Sequence, residues 1–385
     1  RMRPQALSRR PPPPTARQAL SPRPSQRRPP PPPPRRPRGA NPGRTPKNLH
    51  EPVPAFLSRQ SRSLAFWAGI PLAGYSDLPF RLLCREYGAA VCVTEMVSAK
   101  GLAYQSPGTN ELLQTLPEDQ PLVVQLFGAE PVFLGRAVTL LREAGFGWFD
   151  LNMGCSVPKV LRQGAGAAML DHVDNALAVA RAMLAAAGPG RVGFKLRLGL
   201  DAARPVLPDL ALRLEDAGAG WLTLHPRTAR QGFGGTADWE ALARLVPRLS
   251  IPLLASGDLF SAADGLACLE RTGVAGLMYA RGALHNPAVF ADHAALCRGC
   301  VPKPQDAVGL KAMILRHIAL ARRHCPGRAA LWKMRSVVPR YVRALPGARA
   351  LRQELCRCED WEAVAAALDK FLDGCDSGTA QSHLF

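Results

Sequence analysis

The sequence predicts an α/β protein: a (β/α)8 TIM barrel followed by a small C-terminal helical domain, with a disordered N-terminal extension rich in Pro and Arg. Three observations support this prediction. Short apolar segments alternate with helical patterns over residues 62–300, which is a usual length for such a barrel. Residues 305–375 then show only helical patterns that carry Lys and Arg. Residues 1–61 have a composition that cannot build a core.

The N-terminal extension is strongly basic. Residues 1–50 contain 12 Arg and one Lys without any acidic residue, so they contribute +13 of the net charge of +19 and leave +6 for the remainder. Proline runs at 11–14 and 29–34 favour polyproline structure and exclude the amphipathic helix of a mitochondrial transit peptide. The segment also lacks the apolar region of a secretory signal. We expect a disordered tail that adds non-specific affinity for polyanions.

Apolar runs and cysteines restrict the class of protein. No apolar run reaches membrane-spanning length, so we expect no membrane partner. Ten scattered cysteines without an export signal predict reduced thiols and a cytoplasmic location. Cys297 and Cys300 have the spacing of a metal-binding pair, but Cys325, Cys356 and Cys358 do not supply a second pair at a usual zinc interval. We therefore predict no metal site.

The predicted barrel strands are short and apolar, as expected for parallel strands that are buried on both faces. In chain order they are 66–70, 91–94, 122–126, 148–151, 192–197, 221–225, 251–255 and 275–279. Helical patterns lie between them at 78–87, 131–144, 172–187, 208–217, 239–246 and 262–271, and beyond them at 308–324, 330–344 and 361–372. A doubly wound open sheet is the main alternative fold. It is disfavoured because no Gly-x-Gly-x-x-Gly follows the first strand.

Polar side chains interrupt these strands near their carboxyl ends, where parallel barrels carry their chemistry. They are Gln125, Asn152, Lys195, Arg197 and His225. Lys195 and Arg197 are two residues apart and therefore point to the same face of their strand. The fourth strand continues through Gly154 to Cys155, so a thiol lies just beyond a strand end. Such a set of groups on one rim predicts an active site.

The loops after the seventh and eighth strands predict a phosphate site, as in many barrels. Their candidate residues are Ser256, Gly257, Asp258, Ala280 and Arg281. Glycine permits close approach of the backbone, and an Arg can hold the anion. A ligand with a phosphate at one end and a polar ring over the barrel mouth would fit, and FMN is the candidate. Gln125 and Lys195 would face the pyrimidine edge of its ring.

Longer motifs around these residues resemble the tRNA-dihydrouridine synthase family, close to its bacterial B-type. The matching pieces occur in the family's order at 71–74, 94–96, 125–128, 150–155, 195–197, 225–228, 256–258 and 278–282. The combination of Asn-x-Gly-Cys, Lys-x-Arg and His-x-Arg-Thr is specific, whereas each piece alone is weak. The helical segment around Lys333-Met334-Arg335 is similar to the family's RNA-binding domain.

The resemblance implies an FMN-dependent enzyme that reduces the C5=C6 bond of specific uridines in tRNA, with NADPH or NADH as the reductant. Cys155 would protonate C5 after hydride reaches C6, and a thiol with a pKa near ~8.5 keeps its proton at neutral pH. The implied FMN contacts are Pro71, Leu72, Ala73, Gln125, Lys195, His225, Ser256, Gly257, Asp258, Ala280 and Arg281. The implied substrate contacts are Asn152, Lys159, Arg197 and Arg227. We expect tRNA to bind the helical domain at 305–375 and the protein to be a monomer.

Three residues depart from the family's pattern. Ser156 and Ala280 stand where the family usually has Pro and Gly, and Ser256 stands where it usually has Asn. The methyl group of Ala280 would weaken FMN binding if that position required a positive φ. Lys159 is equally compatible with a solvated loop lysine.

Two other functions remain open. One is a barrel flavoprotein that acts on free pyrimidines, like dihydroorotate dehydrogenase, and the other is a non-catalytic RNA-binding protein. The helical domain and the basic charge disfavour the first, since a small substrate does not need them. Absence of a flavin spectrum from the purified protein would favour the second.

Overall fold

The strands of the protein follow the short apolar segments of its sequence. The computed structural model describes residues 66–68, 74–325 and 327–376. The strands are β1 (Phe66–Ala68), β2 (Val91–Val93), β3 (Val97–Ser98), β4 (Leu122–Phe127), β5 (Trp148–Asn152), β6 (Val192–Arg197), β7 (Trp221–His225), β8 (Leu253–Ala255) and β9 (Gly276–Met278). The predicted disordered extension at 1–61 lies outside the described residues.

Parallel pairing closes the strands into a barrel. Within the described residues, neighbours pair in the order β2-β1-β9-β8-β7-β6-β5-β4, and β2 also pairs with β4, which closes a ring of eight strands. The short β3, which the sequence did not predict, pairs with β4 in addition. The predicted TIM barrel with a helical C-terminal part is thus confirmed. β6 and β7 have their predicted bounds, whereas β8 begins two residues late because Pro252 lacks an N–H for the ladder.

Helices surround the barrel and then continue beyond it. They are α1 (Leu78–Glu86), α2 (Ala99–Ala103), α3 (Thr109–Leu112), α4 (Pro131–Glu143), α5 (Pro158–Leu161), α6 (Val173–Ala187), α7 (Asp209–Asp216), α8 (Trp239–Leu245), α9 (Ala262–Thr272), α10 (Arg281–His285), α11 (Val289–Cys297), α12 (Ala307–His324), α13 (Arg328–Tyr341), α14 (Ala348–Leu355) and α15 (Trp361–Asp376). The long predicted helices agree with these bounds to within a few residues. The sequence missed α14 because only Leu351 and Leu355 of this helix are buried, too few for a recognisable period.

The lower part of the barrel is filled by side chains. Trp221 of β7 packs there with Leu254 and Met278. It fits because β6 carries Gly193 opposite: a Cβ on Gly193 would lie 1.9 Å from Cε2 of Trp221. Apolar side chains therefore pack this part of the barrel interior, and the polar side chains lie nearer the carboxyl ends of the strands.

The C-terminal helices have a second apolar core. α12 to α15 bury side chains against one another and against Leu78, Leu82 and Leu83 of α1, which belongs to the barrel. Barrel and helices fall within one compact unit. The division into domains at 62–300 and 305–375 stays a prediction. None of the described helices is long and apolar enough to cross a membrane.

Candidate active site

A cavity of about 260 Å³ opens at the carboxyl ends of β5 to β9. Most of the predicted site residues line it, namely Asn152, Cys155, Lys195, Arg197, His225, Ser256, Gly257, Asp258, Ala280 and Arg281. Gln125 and Arg227 do not line it; both are buried and bind residues that do. Lys159 is exposed on α5 and is not brought to this cavity. Pro71, Leu72 and Ala73 lie outside the described residues.

A chain of side-chain amides fixes the loop that carries Cys155. Gln125 Nε2 donates to Asp150 Oδ2 at 2.7 Å, and Gln125 Oε1 accepts from Asn152 Nδ2 at 2.8 Å. Asn152 Oδ1 then accepts the backbone N–H groups of Gly154 at 3.1 Å and Cys155 at 2.8 Å. Each amide atom of Gln125 thus makes one hydrogen bond to the protein, and the FMN contact of this residue stays a prediction.

Arg197 braces the same turn from the neighbouring strand. Its Nε donates to the Gly154 carbonyl at 2.8 Å, and its Nη1 donates to the Thr228 carbonyl at 3.0 Å. Burial of the guanidinium and the nearby Arg227 lower the pKa of Arg197 to about 10, so it remains a cation at neutral pH. Its role as a substrate contact stays a prediction, since these donors point to backbone oxygens.

Asp150 was not predicted as a site residue. An acidic residue in an apolar strand, two positions before Asn152, could have indicated one. Burial raises the pKa of Asp150 to about 7, against the lowering effects of the hydrogen bond from Gln125 and the charge of Lys195. Its second oxygen, Oδ1, is buried without a hydrogen-bond partner among the described residues. The carboxyl group can therefore gain or lose a proton near neutral pH.

Lys195 presents its ammonium group to the cavity. Burial, and then the charge of Arg197, lower the pKa of Lys195 to about 8. Among the residues that the structure describes, Nζ has no hydrogen-bond or ion-pair partner. The charge of Asp150 attracts this ammonium group, but none of the described residues accepts a hydrogen bond from it, so a ligand that supplies an electron-rich group would stabilise it. The site is therefore built for such a ligand.

Arg227 and Asp258 organise the opposite wall. Two guanidinium N–H groups of Arg227 donate to the Asp258 carboxylate at 2.9 and 2.6 Å. Burial opposes ionisation of Asp258, but these hydrogen bonds and the N–H of Ala237 outweigh it and lower its pKa. Burial and the surrounding cations, Lys195 first among them, lower the pKa of His225 far below 6.5. His225 is therefore neutral, and its Nε2, 3.2 Å from Arg227 Nη1, accepts a hydrogen bond, so Nδ1 carries the proton.

Arg281 lies between two aromatic rings at the cavity mouth. Its guanidinium carbon is 4.4 Å from the ring centre of Phe233 and 4.7 Å from that of Phe260. These rings are 58% and 43% exposed, which is unusual for phenylalanine. Sequence reasoning missed both, and the only local signal was a Phe within the glycine-rich loop after β7. The pair holds Arg281 by cation–π contact and leaves two apolar faces at the entrance.

The three departures from the family pattern all contribute to the cavity wall: Ser156, Ser256 and Ala280. Ala280 has a φ of −116°, so its methyl group causes no left-handed strain. Gly257, in contrast, has a φ of +104°, and a Cβ there would lie 2.5 Å from Cδ2 of His225. Glycine is thus required beside His225 and is dispensable at position 280.

A closed (β/α)8 barrel with a thiol, an ammonium group and a neutral imidazole around one cavity at its strand ends has the architecture of a barrel enzyme. The comparison with known families makes this specific. The family model described as dihydrouridine synthase (Dus) matches residues 68–375, and the chain belongs to this family. The resemblance that the motifs indicated is thereby confirmed.

Relatives from several bacteria support the assignment. A probable tRNA-dihydrouridine synthase 1 from Synechocystis sp. is 34% identical over 85% of this chain and 94% of the relative. tRNA-dihydrouridine synthase B from Pseudomonas aeruginosa is 31% identical over 78% of this chain and 91% of the relative. Among solved structures, morphinone reductase is similar over 62% of this chain and 88% of that one, with 12% identity and a TM-score of 0.41.

Proposed function

We propose that the protein is a tRNA-dihydrouridine synthase, which reduces the C5=C6 bond of specific uridines in tRNA to 5,6-dihydrouridine. FMN would be its cofactor and NADPH or NADH its reductant. Family membership supports the reaction. The single observation in the structure that carries it is that Cys155 and Lys195 line one cavity at the strand ends.

The residues present fit FMN. The ammonium group of Lys195, which makes no hydrogen bond or ion pair with the described residues, suits the electron-rich edge of a flavin ring. Arg281 is 31% exposed at the cavity mouth, where its Nη2 lies 3.5 Å from Asp258 Oδ1, and it suits a phosphate beside the turn at Gly257. Ser256 adds a hydroxyl group. When bound, reduced FMN would supply the hydride for C6 of the uridine.

Cys155 would supply the proton for C5. The Asn152 amide holds its backbone N–H at 2.8 Å, so the thiol is presented from a fixed turn. Lys195 and Arg197 line the same cavity as Cys155, so two cationic side chains would face the substrate together with the thiol that gives up its proton.

A second cavity supports tRNA as the substrate. It has a volume of about 650 Å³, and within the described part of the chain no carboxylate lines it. We name it the arginine groove; its cations are Arg335, Arg340, Arg343, Arg349 and Arg352. Trp332, 59% exposed, also lines it and offers a ring on which a base can stack. Such a surface suits an RNA backbone.

The two cavities lie next to each other. α10 begins with Arg281 at the first cavity and ends with His285 at the arginine groove. Four residue steps of helix span about 6 Å, so nucleotides beside an extruded uridine can reach the groove. We further propose that the protein acts as a monomer in the cytoplasm. The nine described cysteines are unbridged, which is compatible with that location.

The proposed function predicts a yellow purified protein that forms dihydrouridine in an unmodified tRNA transcript when supplied with NADPH. Mass spectrometry of the digested transcript measures the product. A protein that contains no flavin and takes up no added FMN would contradict the proposal and favour a non-catalytic RNA-binding protein. Turnover of free orotate or dihydroorotate without turnover of tRNA would instead favour the free-pyrimidine enzyme.

A further inference from the structure

The chain of side-chain amides that holds the Cys155 loop is fixed at both of its ends. At the loop, the backbone N–H groups of Gly154 and Cys155 can only donate, and Asn152 Oδ1 accepts both. At the other end, the carboxyl group of Asp150 accepts from Gln125 Nε2 through Oδ2 at 2.7 Å. Each of the two amides between these ends has one donor group and one acceptor atom, so their orientations depend on each other.

The donors of the loop determine the direction of both amides. Because Asn152 Oδ1 faces the loop, its Nδ2 faces Gln125 and donates to Oε1 at 2.8 Å. Gln125 then has to present Nε2 on its other side, toward Asp150. Turning either amide over would place two oxygens or two NH2 groups against each other. The chain is therefore free of conflict only when the residue at position 150 accepts a hydrogen bond.

Burial makes this acceptor indispensable. Gln125, Asp150 and Asn152 are 0%, 1% and 4% exposed, so bulk water does not reach them. A buried N–H group without an acceptor is costly. Without an oxygen at position 150, the NH2 group of Gln125 would gain by turning toward another acceptor, and its Oε1 would then leave Asn152.

The two oxygens of Asp150 are in different environments. Oδ2 accepts from Gln125, whereas Oδ1 is buried and has no hydrogen-bond partner among the described residues. Burial raises the pKa of Asp150 to about 7, so the carboxyl group is partly protonated at neutral pH. A proton carried on Oδ1 leaves Oδ2 able to accept. Acceptance from Gln125 therefore does not require the negative charge.

We propose that Asp150 is a positioning residue for Cys155: its carboxyl oxygen sets the direction of the amide chain and thereby holds the loop that carries the thiol. Asp150 does not line the cavity at the strand ends, so it acts through Gln125 and Asn152. This inference rests on the proposed function, since it presumes that Cys155 donates the proton to C5.

Asp150→Val in the full-length protein tests the inference. Valine fills the space of the carboxyl group but accepts no hydrogen bond. We expect single-turnover oxidation of pre-reduced enzyme by tRNA, at saturating FMN, to be at least about tenfold slower, which corresponds to about 1.4 kcal/mol. Hydrogen exchange at the backbone amides of Gly154 and Cys155 should become faster, because their acceptor Asn152 is no longer held.

Asp150→Asn separates the hydrogen bond from the charge. The loop donors still fix the direction of the chain, so the new amide presents its oxygen to Gln125 Nε2. We expect a rate within about threefold of the wild type and wild-type exchange at the Cys155 amide. A rate as low as that of Asp150→Val would show that the charge of Asp150, which acts on Lys195, is what matters, and would overturn the inference.

Thr223→Val is the matched control. Thr223 lies two residues after Trp221 on β7, so its side chain also faces the barrel interior, and it is 0% exposed. Its Oγ1 has no hydrogen-bond partner among the described residues, so the substitution breaks no bond of the chain. This variant should keep the wild-type rate and exchange. A loss equal to that of Asp150→Val would assign the effect to packing of the interior and overturn the positioning role.

The remaining outcomes separate the two proposals. If Asp150→Val reduces uridine as fast as the wild type, the positioning role is wrong and the proposed function stands. If the wild type forms no dihydrouridine, both fail. Should Asp150→Val fail to fold, Gln125→Met breaks the next link of the chain and should speed exchange at the Cys155 amide in the same way. Unchanged exchange in that variant would also overturn the inference.

Discussion

Asn152 Oδ1 accepts the backbone N–H of Cys155 at 2.8 Å, so the amide at the end of β5 sets the position of the thiol-bearing residue. The opposite end of the same amide donates to Gln125 Oε1 at 2.8 Å. Asn152 is therefore held by the barrel on one side and holds the loop on the other. A short polar side chain thus links the rigid sheet to the residue that we propose as the proton donor.

Asn152→Ala should misplace Cys155 without unfolding the barrel. Loss of the two hydrogen bonds to the loop, at about 1 kcal/mol each, predicts a rate about ten- to thirtyfold lower. The measurement is single-turnover oxidation of pre-reduced enzyme by tRNA. FMN affinity is measured alongside, because Asn152 lines the cavity, and the rates are compared at saturating FMN. An unchanged rate would show that the loop is held without this amide.

Cys155→Ala should retain FMN and tRNA binding and reduction by NADPH, while dihydrouridine formation collapses. A general acid typically contributes roughly 10²–10⁴-fold to the rate. The same single-turnover measurement applies, with Cys268→Ala as the control because Cys268 is a buried thiol on α9. A Cys155→Ala rate within about threefold of the wild type lies far below that range and would leave the cysteine a packing role.

The Asp150 carboxyl group predicts a dependence of stability on pH. Its pKa is raised from 3.8 to about 7 in the folded protein, chiefly by burial, so between these values the folded state binds more protons than the unfolded state. The free energy of unfolding should therefore fall as pH rises through this window. Asp150→Asn, whose oxygen can still accept from Gln125, should lessen that fall. Urea unfolding of the flavin-free wild type and of the variant, each at pH 5 and pH 8, measures the change in the free energy of unfolding. An equal change in the two proteins would contradict the prediction.

Gly193→Ala should destabilise the barrel, because the new Cβ would lie 1.9 Å from Trp221 Cε2. Overpacking of this kind costs typically about 1–3 kcal/mol. Gly147→Ala is the control, since a Cβ there meets only Arg191 Nη1 at 3.5 Å. Chemical denaturation compares the two variants. Equal stabilities would mean that Trp221 can move aside without loss.

Arg349→Glu should weaken tRNA binding and lower its salt dependence, because Arg349 is an exposed cation of the arginine groove. Loss of one phosphate contact predicts a slope of log Kd against log salt that is smaller by about one. Arg323→Glu on α12 makes the same charge change at an exposed position that does not line the groove. Equal effects of the two substitutions would show that only net charge matters.

The sequence alone determined the barrel and the set of polar groups on its rim. Parallel barrel strands are buried on both faces, so they read as short apolar runs, and β6 and β7 were predicted with their observed bounds. Polar residues within such runs, such as Lys195 and His225, are conspicuous for the same reason. Because every strand of a parallel barrel points the same way, their carboxyl ends meet at one rim without further information.

Only the tertiary structure decided how these groups pair. Contact between Gln125 and Asp150 depends on the register of β4 against β5, and the contact of Lys333 with Asp77 depends on how α13 packs against α1. The periodicity of the sequence predicts neither the register of two strands nor the packing of two helices. Burial, and with it the raised pKa of Asp150 and the lowered pKa of Lys195, likewise exists only after the strands have closed around these side chains, since desolvation is a property of the assembled core rather than of the residue.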